Sequence, residues 1–240
     1  MRTIVRAAAL VVLPIFGLAA TPAVAATAEI VARPGAELFA EEFSSGLASW
    51  VVEQQPGGTV TTRDGKLVID DAGGCTVWFR QRLEAPVVIT CTAMVSSASR
   101  VSDLNFFWMA TDPQRPDDLF AAGGGRNGKF ATYDTLRTYY VGYGGNTNST
   151  TRFRRYDGAG GRPLLPEHDK SAPEFLLKAD HRYEIMLIAA FGHAQFVRDG
   201  ELVFDLRDTD PLTAGWFGFR TVHSRIEIDS FKVYRADPAR

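Results

Sequence analysis

Residues 136–156 read LRTYYVGYGGNTNSTTRFRRY, two short runs of strand-forming residues around a turn rich in glycine and asparagine. This pattern is typical of an antiparallel β-hairpin. The segment also holds four arginines and four tyrosines, a set that a hydrophobic core does not need. Alternation gives each run one face that collects them: Arg137, Tyr139, Val141 and Tyr143 in the first, and Arg152, Arg154 and Tyr156 in the second. If both faces border one groove, we predict a concave, cationic, aromatic-walled surface that suits an acidic sugar polymer.

Similar β-type runs recur along the chain, at 66–70 (KLVID), 75–83 (CTVWFRQRL), 87–95 (VVITCTAMV) and 104–110 (LNFFWMA). Asp-Gly pairs between such runs, at 64–65 and 199–200, are strong hairpin signals. Helical periodicity is nearly absent. We therefore predict an all-β fold, a two-sheet antiparallel jelly-roll β-sandwich, with the long loops 111–128 and 157–173 as rims of the groove.

The first residues have the pattern of an export signal. Arg2 and Arg6 precede an apolar stretch at 7–20, and Ala23-Val24-Ala25 forms a small-residue cleavage site. We predict a secretion signal peptide over 1–25 and a single jelly-roll domain over 26–240, exported to the periplasm or the extracellular space. The apolar stretch is too short to span a bilayer, so no membrane attachment is expected after cleavage.

Charge is distributed unevenly along the predicted mature chain. Loss of Arg2 and Arg6 leaves 24 basic residues against 28 acidic ones, a formal charge of −4. Residues 126–162 contain seven basic and two acidic side chains, or +5, so the remainder carries −9. This asymmetry indicates a polyanionic partner. Export and the overall acidity exclude nucleic acid as that partner.

The two cysteines, Cys75 and Cys91, lie in strand-like runs. If Ala85-Pro86 forms a hairpin turn, a simple register does not place them opposite each other. A disulfide and two buried thiols are therefore both open.

Several motifs carry a resemblance to a known family. They are GGCTVWF at 73–79, SDLNFFWMATDP at 102–113, the long segment GKFATYDTLRTYYVGYGGNTNSTTRFRRY at 128–156, and GWFGFRTV at 215–222. In this order they resemble the YesU-like proteins of the concanavalin A-like lectin/glucanase superfamily, whose members occur among systems that degrade rhamnogalacturonan and other acidic polysaccharides. The resemblance implies a concanavalin A-like jelly roll whose concave sheet holds sugar.

Cleavage of a uronate polymer by β-elimination needs a neutralised carboxylate, a base and an acid. Arginine suits the first task because its guanidinium stays charged and binds carboxylate with two donors. We predict Arg137, Arg152 and Arg154 as neutralisers, assisted by Asn105 and with Trp108 stacking on a sugar ring. The alternatives are that the arginines pair with acids elsewhere and that the tryptophan is buried in the core.

The predicted proton carriers are Tyr139, with Tyr140 in reserve, and His168, which stands between Glu167 and Asp169. An ordinary loop histidine is the competing interpretation of His168. No cysteine and histidine cluster suggests zinc, so neither a catalytic metal nor a required cofactor is expected. A structural calcium is common in jelly-roll sugar binders, and Glu42 and Asp229 are its candidate ligands.

Hydrolysis by a carboxylate pair ranks lowest. The nearest arrangement, Glu227 and Asp229 in the last strand, lacks the third acid of the jelly-roll glucanase pattern, and the other acidic pairs are adjacent residues that point to opposite faces. We therefore predict a polysaccharide lyase acting on a uronate-containing polysaccharide or oligosaccharide. The alternatives are a non-catalytic, lectin-like binding protein and a glycoside hydrolase.

Overall fold

Two antiparallel β-sheets packed face to face form the fold of residues 28–239, the part of the chain that the computed structural model describes. The predicted signal peptide, 1–25, lies outside the described residues. Within them, no helix has the length and apolar character needed to cross a membrane. The predicted all-β jelly-roll sandwich is confirmed.

The strands are short, and most are joined by tight turns. In chain order they are β1 (Ala32–Glu41), β2 (Trp50–Gln54), β3 (Thr59–Arg63), β4 (Lys66–Asp70), β5 (Cys75–Phe79), β6 (Leu83–Glu84), β7 (Val87–Val95), β8 (Leu104–Thr111), β9 (Arg137–Gly144), β10 (Thr150–Asp157), β11 (Asp169–Lys170), β12 (Tyr183–Ala190), β13 (His193–Arg198), β14 (Glu201–Arg207), β15 (Ala214–Thr221) and β16 (Arg225–Pro238).

The helical elements are single turns. Three are 3₁₀ turns, at Phe130–Tyr133, Pro166–His168 and Pro173–Phe175. The fourth, Gly145–Asn148 (α1), joins β9 to β10, and its last three residues have positive φ angles of 52°, 59° and 58°. The connection is therefore a left-handed turn, which explains its asparagine and glycine content.

The strands divide into a back sheet and a front sheet. The back sheet has the order β14-β13-β12-β7-β16-β4-β3, with β1 paired to β16. The front sheet has the order β11-β10-β9-β8-β15-β5-β2, with β6 paired to β15. The predicted turns at Asp64-Gly65 and Asp199-Gly200 join hydrogen-bonded neighbours of the back sheet.

The main core fills the space between the sheets, but the front sheet is covered on part of its outer face as well. In β8, Leu104, Phe106 and Trp108 face the main core, whereas Phe107 packs outward with Trp78. Buried Leu119, from the loop after β8, belongs to the same outer aromatic cluster. Every residue of β8 before its last is consequently buried, which removes the polar alternation of a one-sided strand.

Ala85-Pro86 does not form a hairpin turn. The strand before it, β6, pairs with β15 in the front sheet, and the strand after it, β7, belongs to the back sheet. Ala85-Pro86 is therefore a crossover between sheets. Cys75 and Cys91 lie on β5 and β7, one in each sheet, as buried free thiols, and burial raises the pKa of both.

Candidate functional site

The register of the front sheet builds a row of polar side chains across its outer face. In antiparallel sheets, residues directly opposite each other point to the same side. Here the pairs join Thr76 to Arg220, Arg220 to Asn105, Asn105 to Gly142 and Gly142 to Arg152. The row crosses five strands, with Asn105 at its centre and Gly142 between Asn105 and Arg152. A second row lies on the same face, two residues away along each strand, and contains Trp78, Gly218, Phe107, Tyr140 and Arg154.

Two adjoining cavities open along these rows, and we call them together the outer cleft. The larger has a volume of about 540 Å³ and the smaller about 300 Å³, and they share Asp103, Phe130, Tyr140 and Asn146. The larger is also lined by Gly142, Gly145, Thr150, Arg152, Arg154, Tyr156, Gly160 and Arg162. The smaller adds Arg100, Asn105, Thr147, Arg220 and Val222.

The prediction that Arg137, Tyr139, Val141 and Tyr143 of β9 face the groove is wrong. The opposite residues of β9 and β10 are Tyr140 with Arg154 and Tyr139 with Arg155. Tyr140 therefore shares the face of Arg154, while Tyr139 points to the space between the sheets. Arg152 and Arg154 lie on the opposite face of β10 from Arg155, as predicted. The residues of β9 with which the prediction grouped them lie on the other face of the sheet.

Tyr139 and Arg137 belong to a polar cluster at one end of the inter-sheet space. The Tyr139 hydroxyl donates to Asp208 Oδ2 at 2.7 Å and accepts from the Leu212 N–H at 3.0 Å. Arg137 pairs with Asp210 at 2.5 Å. Burial is the main cause that raises the pKa of Tyr139, which is 1% exposed. The predicted roles of these two residues in a shared groove are wrong, because their contacts lie on the other side of the front sheet.

His168 and Trp108 are also inside the sandwich. The His168 ring packs edge-on against Phe153 at 4.8 Å and against Phe204 at 5.7 Å, and its Nε2 lies 3.2 Å from the Asp205 carbonyl oxygen. Burial lowers its pKa. Trp108, fully buried, donates to the Ile188 carbonyl at 3.3 Å. His168, the predicted base, and Trp108, the predicted stacking residue, are therefore packing residues. For Trp108, burial in the core was the alternative interpretation.

Most cations of the 126–162 segment are matched by acids. Five of its seven basic residues pair with a carboxylate: Arg126, Arg137, Arg152, Arg155 and Arg162. In the outer cleft, Arg152 binds Asp169 with two donors, at 2.8 and 3.1 Å. The net positive charge around this segment in the folded protein is therefore smaller than its sequence alone indicates.

Arg154 is the cationic residue of this segment that faces the cleft without an acid. No carboxylate of the described residues lies within 4.0 Å of its guanidinium, which donates to the Arg162 carbonyl instead. Burial lowers its pKa, with further lowering from Arg152 and Arg162. An arginine remains charged even so. Arg154 is thus a partly buried positive charge that an anionic ligand would neutralise.

Tyr140 lies between the two cavities with its ring folded over Gly142. A Cβ atom at Gly142 would stand 3.3 Å from Tyr140 Cε1 and 3.4 Å from the hydroxyl oxygen, so the glycine provides the space for this ring. The hydroxyl makes no hydrogen bond within residues 28–239, in contrast to that of Tyr139. Burial raises the pKa of Tyr140 well above its usual value, and the nearby Tyr156 adds to this effect. Tyr140 is therefore a neutral donor at ordinary pH.

Of the residues predicted to bind the ligand, Asn105, Arg152 and Arg154 line the outer cleft. Tyr140, which alternation had placed on the opposite face, lines it as well, and Arg220 was not predicted. This arginine is 1% exposed and is the last residue but one of β15. A charged side chain within the apolar run GWFGFRTV is itself a signal, because buried arginines are rare unless they are paired. The cleft residues from loops, Arg100, Phe130 and Arg162 among them, had no comparable signal.

The predicted loop rims are found in part. Gly160 and Arg162 of the second loop line the cleft, as expected. The first loop instead covers the outer aromatic cluster with Leu119, and the cleft is bordered by Phe130, just beyond the predicted loop.

The cleft contains one acid, Asp103, which pairs with Arg100 at 3.0 Å. A second carboxylate at the separation that glycoside hydrolysis requires is therefore lacking among its lining residues. In the described part of the chain, no group of three or more histidine, cysteine, aspartate or glutamate side chains is arranged to hold a metal. Asp229, one candidate calcium ligand, pairs with Arg182 at 2.5 Å.

Comparison with solved structures supports the same fold. A Bacillus subtilis protein of unknown function with a galectin-like fold aligns with a TM-score of 0.70 at 20% identity, covering 85% of this chain and 98% of that one. The carbohydrate-binding module CBM66 from Bacillus subtilis gives 0.55 at 10% identity, over 78% and 96%. An endo-β-1,3-glucanase from Pyrococcus furiosus gives 0.58 at 10% identity, over 85% and 95%.

No curated protein sequence matches the chain significantly. One family model does, that of a domain of unknown function, DUF6250, which aligns with residues 69–231 and so spans more than half of the 240 residues. That range includes every strand from β5 to β15, and with them the front-sheet strands that carry the outer cleft. The chain therefore belongs to the DUF6250 family.

Proposed function

We propose that the protein is exported and binds an acidic, uronate-containing carbohydrate in the outer cleft. The observation that carries this proposal is Arg154, a partly buried guanidinium that faces the cleft with no carboxylate of the described residues to balance it. Burying an unpaired charge is costly, so a site of this kind favours an anionic ligand. Arginine forms two parallel hydrogen bonds with a carboxylate, which is the group a uronate presents.

The remaining cleft residues suit a sugar rather than a simple ion. Tyr140 and the partly exposed Phe130 offer aromatic surface, and Asn105 and Asn146 offer amide groups for hydroxyls. The shared fold with a carbohydrate-binding module and a glucanase supports this ligand class. The resemblance to the YesU-like proteins implies an acidic polysaccharide such as rhamnogalacturonan.

β-Elimination is the second candidate function, and Tyr140 is the observation in its favour. Its hydroxyl is free of protein partners in the described structure and lies on the same face as Arg154. A neutral tyrosine can donate a proton to a leaving oxygen while an arginine neutralises the carboxylate. Tyr139 and His168 cannot assist, since both are buried between the sheets, and the raised pKa of Tyr140 opposes a role as base. Binding therefore ranks above cleavage.

A panel of acidic polymers separates the functions. The mature protein is incubated with rhamnogalacturonan, alginate, ulvan and glucuronan, and binding, ultraviolet absorbance and reducing ends are recorded for each. Affinity without new product identifies a binding protein. An unsaturated uronate with ultraviolet absorbance identifies a lyase, and reducing ends alone identify a hydrolase. No affinity and no product on any of the polymers would contradict the proposal.

A further inference from the structure

We infer that the outer cleft contains a second anion-binding subsite, built by Arg220, Asn105 and Arg100, so that the ligand is an oligosaccharide with at least two acidic sugars. This inference rests on the proposed function, which assigns the first subsite to Arg154. The second subsite occupies the smaller cavity, on the far side of Tyr140.

Arg220 is the cation of this subsite. It is 1% exposed and donates from Nη1 to Thr76 Oγ1 at 3.1 Å and to the Gly128 carbonyl at 2.9 Å. Its Nε has no hydrogen-bond partner, and no carboxylate of the described residues lies within 4.0 Å. The neutral partners hold the guanidinium in place but leave its charge unbalanced, which an anion in the adjoining cavity would correct.

Asn105 adds a complementary acceptor. It is 2% exposed, its Nδ2 lies 3.4 Å from Asp103 Oδ1, and its Oδ1 is without a partner. A free acceptor beside an arginine with a free N–H matches a sugar acid, which presents a hydroxyl donor and a carboxylate acceptor. The ring of Phe130 lies 4.8 Å from the Arg220 guanidinium carbon and covers it. Both Phe130 and Arg220 line the smaller cavity.

The two subsites are too far apart for one carboxylate. Arg220 is on β15 and Arg154 on β10, with β8 and β9 between them. Three strand spacings correspond to about 14 Å between the strand axes. Tyr140 and Phe130 line both cavities and so divide them. A chain of sugars lying across the strands would pass over Tyr140 and place successive acidic groups on either side.

The net charge of the cleft arginines and their acidic partners supports the binding of two anionic groups. The cleft is lined by five arginines, of which Arg100, Arg152 and Arg162 are paired, with Asp103, Asp169 and Asp134 respectively. Five positive and three negative charges leave +2. The two cations without an acid are Arg154 and Arg220, one in each cavity.

The test is calorimetric titration with galacturonate and glucuronate oligomers of one to four sugars. For the wild type, affinity should rise at least tenfold once an oligomer is long enough to reach the second subsite. Arg220→Gln should abolish most of that gain, and Arg100→Gln, whose partner Asp103 is already an acid, should reduce it by a smaller factor. Arg63→Gln is the control, because Arg63 is an exposed, unpaired arginine on β3 of the back sheet within the described chain.

Thermal unfolding establishes that each variant is folded, and if the buried Arg220 variant is not, the half-exposed Arg100 variant carries the test. Wild-type affinity that does not depend on oligomer length would overturn the second subsite alone. Unchanged length dependence in the folded variants would do the same. A wild type that binds no oligomer of either series would overturn the proposed function and the second subsite together.

Discussion

The adjacent tyrosines of β9 give the sharpest prediction, because removing the same hydroxyl should have opposite consequences at the two positions. In Tyr139→Phe, the protein loses a hydrogen bond to the Asp208 carboxylate and leaves the Leu212 N–H without a partner. Arg155 remains 2.6 Å from the same carboxylate, which limits the damage. We expect a loss of about 2–3 kcal/mol in the free energy of unfolding. Glycan affinity should be unchanged.

In Tyr140→Phe, the lost hydroxyl makes no hydrogen bond within residues 28–239, so stability should change by less than about 0.5 kcal/mol. Affinity for the acidic glycan should fall roughly 2- to 10-fold, the value of one neutral hydrogen bond. If the protein is a lyase, turnover should fall about 10²- to 10⁴-fold, because the hydroxyl is then the general acid.

The assay combines calorimetric unfolding with titration of the acidic glycan for both variants. For a chain of this length, the Tyr139→Phe loss corresponds to a decrease of roughly 4–12 °C in Tm. The reasoning is refuted if Tyr139→Phe is as stable as the wild type, or if it weakens glycan binding as much as Tyr140→Phe does.

Three further predictions follow from the cleft and the core. Arg154→Gln should weaken glycan binding by about 1.5–3 kcal/mol in a salt-sensitive manner, whereas Arg152→Gln, whose partner is already an acid, should cost less; equal losses in titration would contradict this. Gly142→Ala should displace the Tyr140 ring, lower affinity and lower stability by roughly 1–3 kcal/mol, and normal affinity would refute it. Because burial lowers the pKa of His168, stability should decline as pH falls below about 6.5, by at most about 1.4 kcal/mol at pH 5.5. His168→Asn should remove this dependence, which unfolding at pH 7.5 and 5.5 measures.

The fold was predictable because turns and strand runs are local. Asp-Gly pairs and alternating runs determine which strands neighbour each other, and the absence of helical periodicity determines the class. The crossover at Ala85-Pro86 was not predictable in the same way. Local sequence does not say whether two consecutive strands join the same sheet, and Leu83–Glu84 finds its partner in β15, more than a hundred residues away.

The site was predictable only in part, because alternation shows which residues of a strand share a face but not which face borders the cleft. Both faces of β8 and β9 are buried, so the usual polar and apolar contrast is absent. Tyr139 and Tyr140 therefore look equivalent in sequence, and only the pairing of β9 with β10 separates them. His168 looked like a loop residue, yet the 3₁₀ turn before β11 directs it between the sheets.

The central claim, that the outer cleft binds an acidic carbohydrate through carboxylates, is tested most directly by one pair of ligands. Calorimetric titration compares a uronate oligosaccharide that the wild type binds with the same oligosaccharide after reduction of its carboxyl groups to alcohols. We predict that reduction lowers the affinity at least tenfold, since Arg154 then has no anion to bind. Equal affinity for the acidic and the reduced oligosaccharide would contradict the account.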